Sequence, residues 1–190
     1  MQPEQIVEQL RSGAQNAAAE LIDQFYQKIY SFLRRLTGND ADAADLTQRT
    51  FGRVWQALPG FSGRSSVGSW IHSIAYHTYV DWARTKDRTE LRSSEWWSER
   101  VDLKPQPDDL AAGKDLAATV FALVDKLEPE VRDTVHLHYY QSLTLQETAD
   151  AMNVATSTVK YRLRQALEEL EKKLNSERTL STVPTSTKSL

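Results

Sequence analysis

The stretch Thr144-Leu145-Gln146-Glu147-Thr148-Ala149-Asp150-Ala151-Met152-Asn153-Val154-Ala155-Thr156-Ser157-Thr158-Val159-Lys160-Tyr161-Arg162-Leu163-Arg164 decides how this chain is read. Its first four residues make a capping box, in which the Thr144 side chain takes up an orphan backbone N–H and Glu147 reaches back to the cap. A helix therefore starts at Thr144. It is short, ending at Met152, because Asn153 tolerates the left-handed conformation that closes a helix and turns the chain. Val154 plugs the turn, and a second helix runs from about Thr156 to Leu174. Ala149 is small where the two helices must cross, and Val159 faces back toward the first helix. This spacing is that of a helix-turn-helix.

Stepping about 100° per residue from Val159 puts Leu163, Ala166, Leu170 and Leu174 on one inward stripe. Ser157, Lys160, Tyr161 and Arg164 fall on the opposite face, with Thr158 beside them. Between Ala155 and Gln165 the basic residues are Lys160, Arg162 and Arg164, and no acidic residue interrupts them. A recognition helix needs cations for phosphates and donors near its N-terminal half for base edges in the major groove. An ordinary solvated face is the alternative. Acidic residues return at Glu168, Glu169 and Glu171, where the helix leaves any DNA.

Outward from this motif, the composition agrees with helices. The chain has 190 residues with 40% apolar and 26% charged residues, an ordinary globular balance. Only 7 glycines and 6 prolines are available for tight turns, too few for a many-stranded sheet. An all-α chain is expected. No cysteine is present, which excludes disulfides, thiolate zinc sites and a cysteine nucleophile, and a reducing cytoplasm is compatible with that. The longest apolar stretch, Leu116 to Val124, is far short of a membrane span, so a soluble, unexported protein is expected. A formal net charge of −3 argues against bulk electrostatic binding to nucleic acid, so DNA contact must come from local basic faces.

The N-terminal half carries three helical patterns. Leu21, Ile22, Phe25, Tyr26, Ile29, Phe32, Leu33 and Leu36 recur at three- and four-residue spacing from about Asn16, and Thr37-Gly38-Asn39 stops that helix. A second helix starts near Asp40 and carries Leu46, Phe51, Val54, Trp55 and Leu58 inward. Gly60 to Gly68 reads as a loop, and a third helix spans roughly Ser69 to Arg84. From Thr85 to about Gly113 periodicity fades around Pro105 and Pro107, which indicates a flexible linker between two small helical domains. Trp96-Trp97 within it either packs on one of the domains or anchors a partner. The expected organisation is a domain at 1–84, a linker at 85–115, a helix-turn-helix domain at 116–174 and a disordered, Ser/Thr-rich tail at 175–190.

Stretches in both halves of the chain resemble a known family. Leu127-Glu128-Pro129-Glu130-Val131-Arg132, Leu143 to Ala149, and Thr158-Val159-Lys160-Tyr161-Arg162-Leu163 resemble the C-terminal, region 4 domain of extracytoplasmic-function (ECF) sigma factors. Asp42-Ala43-Ala44-Asp45-Leu46-Thr47-Gln48-Arg49-Thr50-Phe51 is similar to the family's core-polymerase-binding helix, and Trp70 to Arg84 to its −10-reading helix in Trp70, Ile74, Ala75, Asp81 and Arg84. The resemblance implies docking on the coiled coil of the largest polymerase subunit through Asp42, Asp45, Leu46, Gln48 and Arg49, with the flap region as a second contact. It implies −35 recognition by Ser157, Thr158, Lys160, Tyr161 and Arg164. It also implies capture of a melted −10 strand by Phe61, Arg64, Ser65, Ser66, His72, Tyr76, His77 and Tyr79, with an anti-sigma factor as a further partner.

On the helical wheel of the third helix, Val67, Trp70, Ile71, Ile74, Thr78 and Asp81 lie inward, while His72, Tyr76 and Tyr79 point away. Exposed aromatics beside a polar loop suit stacking on unpaired bases, although Tyr76 and Tyr79 could instead cover a neighbouring helix. The four histidines give no metal spacing, and no HExxH, Gly-rich phosphate loop or Gly-x-Ser-x-Gly elbow is present. No catalytic residue, metal or cofactor is therefore expected. The competing function is a helix-turn-helix regulator that binds duplex without being a polymerase subunit.

Overall fold

The computed structural model describes residues 2–11, 15–90 and 119–181. Among these residues every regular element is helical. In chain order they are α1 (Pro3–Arg11), α2 (Gln15–Thr37), α3 (Asp40–Ala57, followed by a 3-10 turn at Leu58–Gly60) and α4 (Val67–Glu90). After them come a short α5 at 119–124, α6 (Pro129–Val135, continued by a π-helical turn at His136–Tyr140), α7 (Leu145–Met152) and α8 (Thr156–Ser181).

The periodic residues of α2 become the centre of the first domain: Leu21, Ile29, Phe32 and Leu33 are sealed from solvent and pack with Leu46 and Val54 of α3 and Val67 and Ile71 of α4. The α2–α3 turn works as its residues dictate. Gly38 takes φ +69°, a conformation costly for any residue with a Cβ, and the Asn39 side chain caps α3 by accepting from the Asp42 N–H at 3.0 Å. α1 was not foreseen. Pro3 in its first turn and Ile6, Val7 and Leu10 on one stripe were the available signals, and Ile6 and Val7 are fully buried against the first core.

In the second domain Val124, Leu127, Val131, Val135, Ala149, Val159, Leu163 and Ala166 form a core of their own. The capping box is present in both halves: Thr144 Oγ1 accepts from the Glu147 N–H at 3.2 Å, and the Thr144 N–H donates to Glu147 Oε2 at 2.9 Å. Asn153 ends α7 with φ 54° and ψ 47°, the left-handed conformation its side chain tolerates.

Several boundaries differ from expectation. α4 begins at Val67 and continues to Glu90, past Arg84 and into the stretch read as linker. α8 runs on to Ser181, so the tail is helical for its first residues beyond 174. Asp81, read as inward, is exposed and pairs with Arg53 at 2.9 Å. Trp96-Trp97 and the linker prolines lie outside the described residues.

The larger difference concerns how the two halves meet. Leu137, Leu143, Ala151 and Met152 of the second half belong to the hydrophobic cluster of the first. α7 lies along α4, and Arg35 of α2 stacks its guanidinium over Phe121 and Tyr140 at 4.4 and 4.7 Å from the ring centroids. Two helical domains are present, and they are packed face to face.

Candidate nucleic-acid interface

The outer face of α8 is as its periodicity predicted. Ser157, Lys160, Tyr161 and Arg164 are exposed, Tyr161 by 64%, while Thr158 is half-buried. Val159 and Leu163 anchor the opposite stripe in the core. Arg162, between these faces, is drawn away from them by an ion pair with Glu130 of α6. The result is a rigid helix that presents two cations, a hydroxyl and a ring along one side, with its N-terminal end free of acidic side chains.

The polar face of α3 is likewise open. Asp45 and Arg49 pair across one helical turn at 2.8 Å and stay largely in water, and Gln48 is exposed beside them. Asp42 is held more closely, by Lys86 of α4 at 3.2 Å. Leu46, counted with these residues on the sequence, is fully buried in the first core. Its position on the helix points inward, so it fixes α3 in place and offers nothing to a partner's surface.

The residues expected to meet unpaired bases are arranged differently. The helical wheel points His72, Tyr76 and Tyr79 outward, yet they are 4%, 8% and 9% exposed. The wheel located them correctly off the inward stripe of α4, although the His72 ring also meets the core residue Phe32 edge-on at 5.7 Å between centroids; α6, α7 and the turn between them then cover that side. Tyr79 Oη accepts from Arg132 Nη2 at 3.0 Å, and the same guanidinium holds Asp133 at 2.9 and 3.0 Å in a buried pair. His72 Nδ1 lies 2.8 Å from the Gly68 carbonyl, which can only accept, so that nitrogen carries a proton; Nε2 meets the Gln141 side-chain amide at 3.1 Å. Burial lowers the His72 pKa below its ordinary value and raises that of Tyr76.

The loop before α4 is split between core and solvent. Phe61 packs on Trp70 with ring centroids 4.7 Å apart and is 9% exposed, whereas Arg64 at the loop tip is exposed next to Gly63 at φ +72°. Ser65 is half-buried. Ser66 Oγ accepts from the Ser69 N–H at 3.1 Å at the start of α4 and donates to Glu147 Oε1 at 3.1 Å; Ser69 Oγ donates to the same carboxylate oxygen. His77 alone of the expected helical residues is open to solvent, with Nδ1 2.7 Å from the Ser73 carbonyl. No local signal marks Ser69, Arg132, Gln141 or Glu147 at this surface, because each contact joins residues more than fifty positions apart.

Comparison with known proteins identifies the family. Residues 21–89 match the family model Sigma-70 region 2 and residues 123–172 match Sigma-70, region 4. The chain is 31% identical over 156 residues, 80% of each protein, to the ECF RNA polymerase sigma factor SigX of Bacillus subtilis. It is 28% identical to SigW of the same organism over 88% of this chain and 94% of that protein. Among solved structures it resembles the sigma factor RpoE in complex with the anti-sigma factor NepR from Bartonella quintana, with a TM-score of 0.70, 19% identity and 83% and 96% of the two chains covered. The chain belongs to the ECF RNA polymerase sigma factors.

Proposed function

We propose that the chain binds core RNA polymerase through the exposed part of α3, reads the −35 element as duplex through α8, and captures the melted −10 strand with α4 and the loop at 61–66. The observation that carries this reading is the exposed face of Ser157, Lys160, Tyr161 and Arg164 on a helix whose other side is locked into a helix-turn-helix core. Asp45, Gln48 and Arg49 are the docking residues, with Asp42 at their edge. Acting with polymerase places the protein in the cytoplasm. An anti-sigma factor is the partner expected to hold it inactive. The role is regulatory rather than catalytic, so no residue is assigned to bond making or breaking.

The test is transcription in vitro with core polymerase and a library of promoter fragments. Wild-type protein directs initiation at a shared pair of elements, and Arg164→Ala weakens or relaxes −35 recognition by roughly 1–3 kcal/mol. Unchanged output from every promoter in the Arg164→Ala variant overturns the assignment of this face. Binding to the same duplexes at full affinity without polymerase favours the independent regulator instead.

A further inference from the structure

A cleft of about 410 Å³ opens along the seam between the two domains, a size that takes a small organic molecule. Phe25 and Lys28 of α2 line it from the first domain; Tyr140, Gln141 and Ser142 of the turn before α7, and Glu147 of α7, line it from the second. We propose that this cleft binds a small zwitterion with an apolar body, of the amino-acid type, its carboxylate held by Lys28 and its ammonium by Glu147. The roles proposed above in transcription involve none of Lys28, Ser142 and Glu147.

Two opposite charges face the cleft, and neither has a counter-ion. The Lys28 ammonium stands 5.7 Å from the centroid of the Phe25 ring and forms no ion pair with another described residue. Glu147 is held by neutral donors only: Oε1 accepts from the Ser66 and Ser69 hydroxyls and Oε2 from the Thr144 N–H. Burial by itself would raise its pKa, but the bonds from Ser69, Thr144 and Ser66 lower it below the ordinary value, so the carboxylate is ionised at neutral pH. A carboxylate has about four lone-pair sites, and these donors leave one open to an ammonium. His72 also lines the cleft, but burial keeps it neutral, so it adds no second cation. An anion alone or a cation alone would answer one of these charges. A zwitterion answers both, while the Phe25 and Tyr140 rings receive its apolar body and Gln141 and Ser142 supply neutral hydrogen bonds.

The second-domain wall is built from two uncommon backbone forms in succession. His136–Tyr140 is a π-helical turn, and Ser142 holds φ 57°, a left-handed conformation that a side chain makes costly. Glycine would sit there without strain; serine instead brings a hydroxyl to the cleft. The turn is pinned in this form, with His138 Nδ1 2.7 Å from the Leu143 carbonyl and the Leu143 N–H donating to the Leu137 carbonyl at 3.2 Å. Backbone forms of both kinds concentrate where side chains are aimed at a ligand.

Isothermal titration calorimetry on the full-length protein tests the site with a panel of amino acids from phenylalanine to ε-aminocaproate, which spans short and long separations of ammonium and carboxylate. Phenylacetate and phenethylamine serve as controls with one charge each. The expected result is saturable binding of a panel member at one site, at least about tenfold tighter than either control, with a melting temperature that rises with its concentration. Lys28→Met keeps an unbranched stem beside Phe25 and weakens that binding about tenfold, while the melting temperature without ligand stays the same. Lys28→Glu leaves two carboxylates facing the cleft, and the preference passes from the zwitterion to a diamine, cadaverine. Ser142→Gly relieves the strained backbone, so the free protein melts no lower than before while its affinity falls, a split that a purely structural serine does not produce.

No saturable binding by any panel member into the millimolar range overturns the proposal. Undiminished affinity in Lys28→Met does the same, as does equal affinity for the singly charged controls. Cadaverine bound no better by Lys28→Glu than by the unaltered protein places the zwitterion elsewhere and overturns it too. These measurements use neither polymerase nor DNA, so they decide the cleft independently of the proposed function.

Discussion

Two buried histidines, His72 at the seam and His136 inside the second domain, predict that acid destabilises this molecule. His136 is fully buried between Phe121 and Tyr140, neither ring nitrogen has a hydrogen-bond partner, and an Asp125 carboxylate oxygen stands 3.8 Å from Nε2. Burial lowers its pKa and that of His72 below the ordinary 6.5, with Asp125 and Asp133 pulling His136 only partly back. The sign follows from proton binding. Below about pH 6.5 the unfolded chain binds protons that the folded chain refuses, so the stability these residues contribute is complete above that pH and drains away as the pH falls toward their lowered folded values. Thermal melts should show a loss of roughly 1 kcal/mol per histidine between pH 7.5 and 5.5. His136→Phe keeps a ring in the slot and removes its titration, and should reduce that acid-side loss by about half. An unaltered pH slope would place the sensitivity elsewhere.

At the scale of the element, α7 and α3 show how short sequence signals become working surfaces. Thr144 carries half of the capping box, and Thr144→Ala should cost about 1 kcal/mol in denaturant unfolding. Glu147 keeps its serine contacts in that variant, so the interdomain distance should stay unchanged while stability falls. α3 holds its polar face in water because Leu46, Phe51 and Val54 bury the other side. Replacing Asp45 and Gln48 together by alanine removes exposed groups only, and alanine favours the helix. Helical content should be retained while affinity for core polymerase in a titration drops. Undiminished affinity would remove these residues from the docking surface.

For the whole molecule, the buried position of Tyr76 and the role proposed for α4 predict two separable effects. As a ring only 8% exposed beneath the second domain, its loss in Tyr76→Ala should lower the stability of the free protein by roughly 3 kcal/mol, where an exposed aromatic would cost little. With polymerase, the same change should reduce permanganate reactivity of the −10 region while leaving closed-complex recruitment largely intact. Normal reactivity would mark the ring as packing alone. A melting temperature close to that of the unaltered protein would show that the domains do not hold this face closed in solution.

Local chemistry written along the chain was sufficient for most of the helices, though not for α1 or the far ends of α4 and α8, and for the capping box, the left-handed Asn153 and the two faces of α8, because each depends on residues within a turn or two of one another. The same periodicity put Ser157, Lys160, Tyr161 and Arg164 outward correctly, since no distant element among the described residues packs on them. It placed His72, Tyr76 and Tyr79 off the inward stripe of α4, and there its authority ended. Whether that side faces water depends on contacts such as Ser66 with Glu147, 81 residues apart, and Tyr79 with Arg132, 53 apart. A helical wheel carries no information about a partner element so distant in sequence. Only the tertiary structure, by docking the second apolar face of α7 on α4, decided that His72, Tyr76 and Tyr79 are covered rather than open to water.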